Sequence, residues 1–272
     1  MTNTPEESLD LTLIEHLSQY SAPRIVAPGW AVRIDVHFLG GMRHFRSWEI
    51  ADIGLMVFAK ENNRTVGNKV AILQSKRLYP IVGEIAAETP EDYQIGMGRL
   101  VSDRITATSL TQAKTFQFTG ESKYKTLAKD DRQYKAIAEY ESTLQIPVHY
   151  LLYNPWVVPS AYSFPLEAEP ALGAKANGGC RIIPASSIRA CLMPKNVNYT
   201  PRFNDLKGVV SPAAAHEHGW RIEHFATNLL MKCKEGHVFE SVNEEPMFNL
   251  FNRRSGPIAA AIAITVESVQ QA

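Results

Sequence analysis

Cysteine is scarce in this chain, which has three cysteines in 272 residues: Cys180, Cys191 and Cys233. They form no CxxC motif, which disfavours a disulfide framework and a cysteine-based zinc site and predicts a reducing compartment. We expect the three thiols to be buried small apolar side chains. Net charge is also missing, because 28 basic residues cancel 28 acidic ones. Without a global positive field, nucleic acid can be bound only through a local basic patch.

Segments that would direct a protein into or across a membrane are also missing. The longest apolar run, residues 257–266, is about half of the ~20 residues that a transmembrane helix needs. The first ten residues are acidic and polar, whereas a secretory signal is basic and then apolar. A cytoplasmic protein is therefore predicted. The absence of a glycine-rich phosphate loop and of a GxSxG motif disfavours an NTPase and a serine hydrolase.

Apolar residues are plentiful enough for a packed core, at 45% of the chain. Thr4 and Glu7 form a capping-box pattern, which predicts that a helix begins there and runs to about Ser21. Alternating apolar and polar residues predict a strand over residues 30–38.

Two further strands are predicted over residues 50–58 and 70–76. The polar stretch between them, residues 61–68, has the asparagine and glycine content of a hairpin loop. A helix that begins near Asp130 follows, and after it a strongly apolar strand over residues 146–153. The predicted order of this first half is helix, three strands, helix and strand.

The rest of the sequence predicts additions to that order. Residues 80–129 give mixed signals and are interpreted as an insertion. After residue 155 we predict a short strand, an amphipathic helix and a last buried strand, over residues 180–183, 222–233 and 258–266. We predict a core over residues 1–155 and a C-terminal α/β extension over 156–272, packed on the core or part of the same domain.

One constellation of polar residues indicates a specific chemistry. Phosphodiester hydrolysis needs a divalent cation held by hard oxygen ligands, together with a cationic side chain that assists the attacking water. Asp52 lies near the start of the second strand, and Gln74 and Lys76 lie near the end of the third. Residues two apart on a strand share a face, and antiparallel neighbours meet start to end. The three side chains are therefore predicted to converge.

The motifs Ala51-Asp52, Gln74-Ser75-Lys76-Arg77-Leu78 and PVHYLLYN at residues 147–154 resemble those of the PD-(D/E)XK, restriction-endonuclease-like, nuclease superfamily. The branch concerned has glutamine in place of the second acid. More narrowly, the pattern is similar to a family of uncharacterised prokaryotic restriction-endonuclease-like proteins. The resemblance covers roughly residues 5–155 in element order. It implies an α/β fold with an αβββαβ core and a mixed sheet.

The resemblance also implies a function and a set of site residues. We expect a nuclease that depends on Mg²⁺ or Mn²⁺ and cleaves DNA, in restriction or anti-phage defence. Asp52, the Gln74 amide oxygen and the Ser75 carbonyl would hold the metal. Lys76 would assist the water. RNA remains an alternative substrate, and such nucleases usually form a homodimer when they cut both strands.

Additional carboxylates have two interpretations each. Glu49 is either a catalytic second carboxylate or a surface charge. An acid on the first helix often joins such sites, and Glu7 and Glu15 are the candidates, although the capping box already accounts for Glu7.

Two other functions are left open by the sequence. A catalytically silent nuclease fold that binds nucleic acid or a protein is favoured by the neutral net charge and by Gln74. A small-molecule metal enzyme would require convergence of one group of histidines, His216, His218, His224 and His237.

Overall fold

A computed structural model describes residues 6–38, 50–62, 64–81, 114–164, 177–210, 217–241, 243–251 and 258–268. Its longer α-helices are α1 (Glu6–Ser18), α2 (Arg132–Leu144), α3 (Ala185–Leu192) and α4 (Glu245–Phe251). Its strands are β1 (Arg24–Ala27), β2 (Trp30–Phe38), β3 (Ala51–Glu61), β4 (Arg64–Arg77), β5 (Lys114–Phe118), β6 (Val148–Tyr153), β7 (Ser160–Phe164), β8 (Cys180–Pro184), β9 (Trp220–Arg221), β10 (His237–Phe239) and β11 (Ile258–Ser268). A 3-10 helix spans Phe203–Leu206.

Most strands join one mixed sheet, so the prediction of an α/β fold with a mixed sheet is confirmed. The strand order is β1-β2-β11-β3-β4-β6-β8-β9, and β10 pairs with β4. β11 is parallel to β3 and β4 is parallel to β6, whereas the other neighbours are antiparallel. β5 and β7 form a separate antiparallel pair. Strands from both predicted regions are hydrogen-bonded in the main sheet, and the division into core and extension stays a prediction.

The last strand, β11, lies in the middle of the sheet. It pairs antiparallel with β2 and parallel with β3. The predicted buried strand at residues 258–266 is therefore confirmed, and residues 260–263 are all buried. Its position separates β2 from β3, although strands that follow one another in sequence are usually neighbours.

The β3–β4 hairpin is longer than the sequence predicts. β3 continues to Glu61 and β4 begins at Arg64, so Asn62, with a φ of 49°, lies in a tight turn. The loop predicted over residues 61–68 is wrong, because most of that stretch pairs with the end of β3. These residues remain polar because they extend past the core, where residues 64–67 are exposed.

Helices cover the central strands. α1 packs against β2, β3 and β4, whereas α3 packs against β6, β8 and α2. The helix predicted near Asp130 is confirmed as α2. Asp131 caps its start by accepting a hydrogen bond of 2.7 Å from the Tyr134 amide. Among the described residues, no helix is both long enough and apolar enough to cross a bilayer.

The predicted helix at residues 222–233 ends early. Ile222–His224 is α-helical and Phe225–Leu230 is π-helical, with the Met231 amide bonded to the Ala226 carbonyl five residues back. The helical segment ends at Leu230, and Cys233 lies in the turn that follows, exposed and with a φ of 57°. The prediction of a buried thiol is therefore wrong for Cys233.

The other two cysteines are half-buried, and all three are free thiols. Burial raises the pKa of the Cys180 thiol to about 12. That thiol stays protonated at neutral pH, so it is a poor nucleophile.

Candidate functional site

The hairpin strands β3 and β4 part at the end where Asp52 lies. Their ladder ends at the pair Ile53 and Leu73, although β4 continues to Arg77 beside β6. The Asp52 carboxylate enters this gap, and its Oδ2 atom accepts a hydrogen bond of 2.6 Å from the Ser75 amide. The Asp52 side chain thus supplies the Ser75 amide with an acceptor at a point where β3 and β4 are no longer paired through their backbones.

Gln74 lies directly across this gap from Asp52. One step beyond the Ile53–Leu73 pair, the two residues are opposite and share a face. The Gln74 Nε2 atom donates to Asp52 Oδ2 over 2.5 Å. Gln74 is only 3% exposed, and its Oε1 atom is buried with no hydrogen-bond partner in the described part of the chain. An unpaired buried amide oxygen costs free energy unless a water molecule or a ligand occupies it.

Lys76 lies two residues further along β4, on the same face as Gln74. Its side chain is 4% exposed, and its Nζ atom is 3.4 Å from Glu6 Oε2. Glu6 is fixed in turn, because its Oε1 atom accepts from the Arg77 amide at 3.1 Å and from Thr126 Oγ1 at 2.6 Å. The first residue of α1 therefore holds the ammonium group at the end of β4.

Asp10, one helical turn after Glu6, is the second α1 acid at the site. It is buried, and its Oδ1 atom accepts from Ser75 Oγ and, over 2.7 Å, from the Tyr153 hydroxyl. Burial, and then the Asp10 charge, raise the pKa of Tyr153 far above its usual value. Tyr153 therefore remains a donor, and Ser75 links the two carboxylates of Asp10 and Asp52.

The structure brings the main predicted residues together. Asp52 and Gln74 are in direct contact, and Ser75 joins them through its amide. Lys76 shares their face but contacts Glu6, an acid that sequence reasoning did not select. Ser75 acts here through its amide and hydroxyl, and metal binding by its carbonyl stays a prediction.

Of the three additional acids that were considered, only Glu15 has a described side chain. Glu49 lies outside the described residues, as does the side chain of Glu7. Glu15 is exposed on α1. The described ranges contain no group of three or more His, Cys, Asp or Glu side chains arranged to hold a metal ion.

The spacing of Glu6 and Asp10, the two acids that sequence reasoning did not select, could have indicated them. Glu6, Asp10 and Ile14 are spaced by four residues and form one stripe of α1. Asp10 follows Leu9 in an otherwise apolar segment, and an acid in such a stripe is buried only when it has partners.

The histidines give no metal centre in the described part of the chain. His218 is 4% exposed and stacks on Phe203 with ring centroids 3.9 Å apart. Burial lowers the pKa of His218 to about 4, so the ring is neutral at pH 7. His216 lies outside the described residues.

Comparisons with protein-family models, curated proteins and solved structures found no match for this chain.

Proposed function

We propose that this chain is a Mg²⁺-dependent nuclease, with Mn²⁺ as an alternative metal, that hydrolyses phosphodiester bonds in DNA. The observation that supports this best is the contact between Asp52 and Gln74 in the gap between β3 and β4. An acidic and an amide side chain meet there, a buried amide oxygen has no partner among the described residues, and Lys76 lies on the same face.

The order of elements supports a restriction-endonuclease-like core. α1, β2, β3, β4, α2 and β6 occur in the order of the proposed αβββαβ core, with β1 inserted after α1 and β5 inserted after β4. β3 and β4 are antiparallel, and β4 and β6 are parallel. β11 between β2 and β3 is an addition to that core.

The donor atoms fit a hard divalent cation. Mg²⁺ and Mn²⁺ prefer carboxylate and carbonyl oxygens, which Asp52 and the Gln74 amide supply. The Gln74 nitrogen now faces Asp52, and rotating the amide by half a turn would bring Oε1 beside the carboxylate. Two acceptor oxygens repel each other when side by side, and a cation between them removes that repulsion. When bound, such a cation neutralises charge on the phosphate and activates a water molecule.

The surrounding side chains have supporting roles. Lys76 supplies a buried positive charge, which is effective at stabilising charge that develops on the phosphate. Glu6 fixes the position of that ammonium. Ser75, held by Asp10, keeps its amide directed at Asp52 and so restricts the orientation of the carboxylate.

A silent nuclease fold is the second candidate, and one contact favours it. Lys76 is almost fully buried and is already paired with Glu6. A lysine kept in that pair would not reach a phosphate, and the protein would then bind nucleic acid or a protein partner without cleaving it.

A cleavage assay distinguishes the two. Supercoiled plasmid, linear duplex and single strands are incubated with Mg²⁺, Mn²⁺ or EDTA. We expect cleavage with either metal, loss of cleavage in EDTA, and loss in Asp52→Asn. Asp35→Asn is the matched control, because Asp35 lies on β2 and pairs with Arg33 at 2.7 Å, away from the gap. Binding without cleavage of any substrate would contradict the enzyme and favour the silent fold.

A further inference from the structure

A row of basic residues crosses the sheet from the candidate site. Lys76 on β4 pairs with Leu152 on β6, Leu152 pairs with Arg181 on β8, and Arg181 pairs with Arg221 on β9. Directly paired residues have their side chains on the same face. Lys76, Arg181 and Arg221 therefore share the face that carries Gln74.

This row also lies at the same end of the sheet as the gap that holds Asp52. β4 and β9 end at this side, at Arg77 and Arg221, and β8 begins there at Cys180. Three strand spacings of about 4.8 Å separate Lys76 from Arg221, or about 14 Å. At a rise of about 3.4 Å per nucleotide along each strand of a duplex, this corresponds to a few nucleotides.

The two arginines are placed against each other at a cost. Like charges directly opposite on neighbouring strands destabilise a sheet, and Arg181 is only 3% exposed. Burial, and then the charge of Arg221, lower the pKa of Arg181, while the exposed Glu223 opposes this in part. Arg221 is half-buried, and its Nε atom is fully buried with no hydrogen-bond partner among the described residues. An anion bound at the Arg221 guanidinium group would reduce the repulsion between the two arginines.

We propose that Arg221, supported by the charge of Arg181 behind it, binds a backbone phosphate of the nucleic acid a few nucleotides from the bond that is cleaved. This subsite rests on the proposed function, since it takes nucleic acid as the ligand. It supplies local positive charge at the surface of a chain that has no net charge. Arg221 reaches the phosphate because it is the least buried member of the row.

The test measures binding separately from cleavage. Fluorescence anisotropy of a labelled duplex oligonucleotide is recorded in EDTA, from about 50 to 200 mM salt, for wild type, Arg221→Gln, Arg221→Lys and Arg33→Gln. We expect Arg221→Gln to bind several-fold more weakly and to reduce the slope of log K against log salt by about one. Arg221→Lys should restore the slope because it restores the charge. Arg33 on β2 is the matched control and should behave as wild type. Melting temperatures check that each variant is folded.

The possible outcomes distinguish failure of the phosphate subsite from failure of the nuclease proposal. An Arg221→Gln variant with wild-type affinity and salt slope overturns the subsite, while cleavage by wild type would leave the nuclease proposal intact. A wild type that does not bind the duplex overturns the subsite as well. If Arg221→Gln shows the reduced slope but wild type never cleaves with Mg²⁺ or Mn²⁺, the subsite stands and the enzyme does not.

Discussion

Replacing Gln74 with glutamate tests whether a cation binds between residues 52 and 74. The native amide donates to Asp52 over 2.5 Å and is almost fully buried. Hydrogen bonds to charged groups contribute roughly 1.5–3 kcal/mol, and Gln74→Glu replaces this bond with repulsion. Two carboxylates at ~4 Å repel by up to about 4 kcal/mol at an effective dielectric constant of 20. Without metal, we therefore expect the variant to lose roughly 3 kcal/mol or more of its free energy of unfolding.

The loss should be reversed by metal. A deficit of ~3 kcal/mol lowers the melting temperature by roughly 6–12 °C in a protein of this size. A cation at 100 times its dissociation constant restores about 2.7 kcal/mol. Differential scanning fluorimetry in EDTA and in Mg²⁺ measures both quantities. Gln74→Leu is the matched control: it loses the hydrogen bond but gains no ligand, so Mg²⁺ should not stabilise it.

The pH dependence of Gln74→Glu has a defined sign. Repulsion raises the folded-state pKa of a carboxyl in the pair above its unfolded value. In EDTA the variant is therefore closest to wild type in stability at low pH, and it falls behind as pH rises through that folded pKa. Equal melting temperatures for Gln74→Glu in EDTA and in Mg²⁺ at pH 7 would refute a cation between residues 52 and 74.

Three further predictions follow from the described contacts. Lys76→Met keeps the buried stem and removes the charge, so cleavage should fall by ~10²-fold to 10³-fold. The melting temperature should also fall, because the partly buried Glu6 loses its ion-pair partner, so cleavage is measured at a temperature where circular dichroism shows the variant to be folded; wild-type cleavage by the folded variant would contradict a catalytic role. Tyr153→Phe removes a donor to the buried Asp10 carboxylate, and urea unfolding should show a loss of about 1–3 kcal/mol; an unchanged midpoint would mean that this hydrogen bond contributes nothing. The pKa of His218 is lowered to about 4 by burial, so the stability due to its neutral form is complete above pH 6.5 and is lost as pH falls towards 4, by up to roughly 3 kcal/mol. His218→Phe should flatten that decline in urea titrations at pH 7, 5.5 and 4.5, and an unaltered decline would show that another group causes it.

The convergence of Asp52 and Gln74 could be predicted because it depends on local geometry alone. An antiparallel hairpin places the start of one strand beside the end of the next, and alternation fixes the shared face. The extra length of the hairpin did not alter this, because it was added at the far end, around Asn62.

The α1 acids could not be chosen from the sequence in the same way. Leu9, Leu13 and Leu17 suggest one buried stripe, but the structure buries Asp10 and Ile14 beside it. A helix rotated by one residue presents a different acid to the sheet. That rotation is decided by partners distant in sequence, such as Ser75 and Tyr153.

The position of β11 in the sheet could not be predicted from the local sequence, for a similar reason. Its apolar composition predicts a buried strand, yet composition does not determine which neighbours it takes. Pairing with β2 and β3 joins residues more than 190 positions apart, such as Ile258 and Ala51. Its place between β2 and β3 depends on pairing along both of its edges in the complete sheet, which no local stretch of sequence specifies.

The central position of β11 has a consequence for how the protein reaches its native state. During synthesis, β2 and β3 leave the ribosome long before residues 258–268, and until then each has an unpaired edge that can join the strands of other chains. Sheets built from such distant pairings fold slowly. We expect β1–β2 and β3–β4 to form first as separate hairpins and to be joined only when β11 enters between them. Late assembly of the sheet, rather than of the Asp52–Gln74 hairpin, should therefore limit the yield of folded protein.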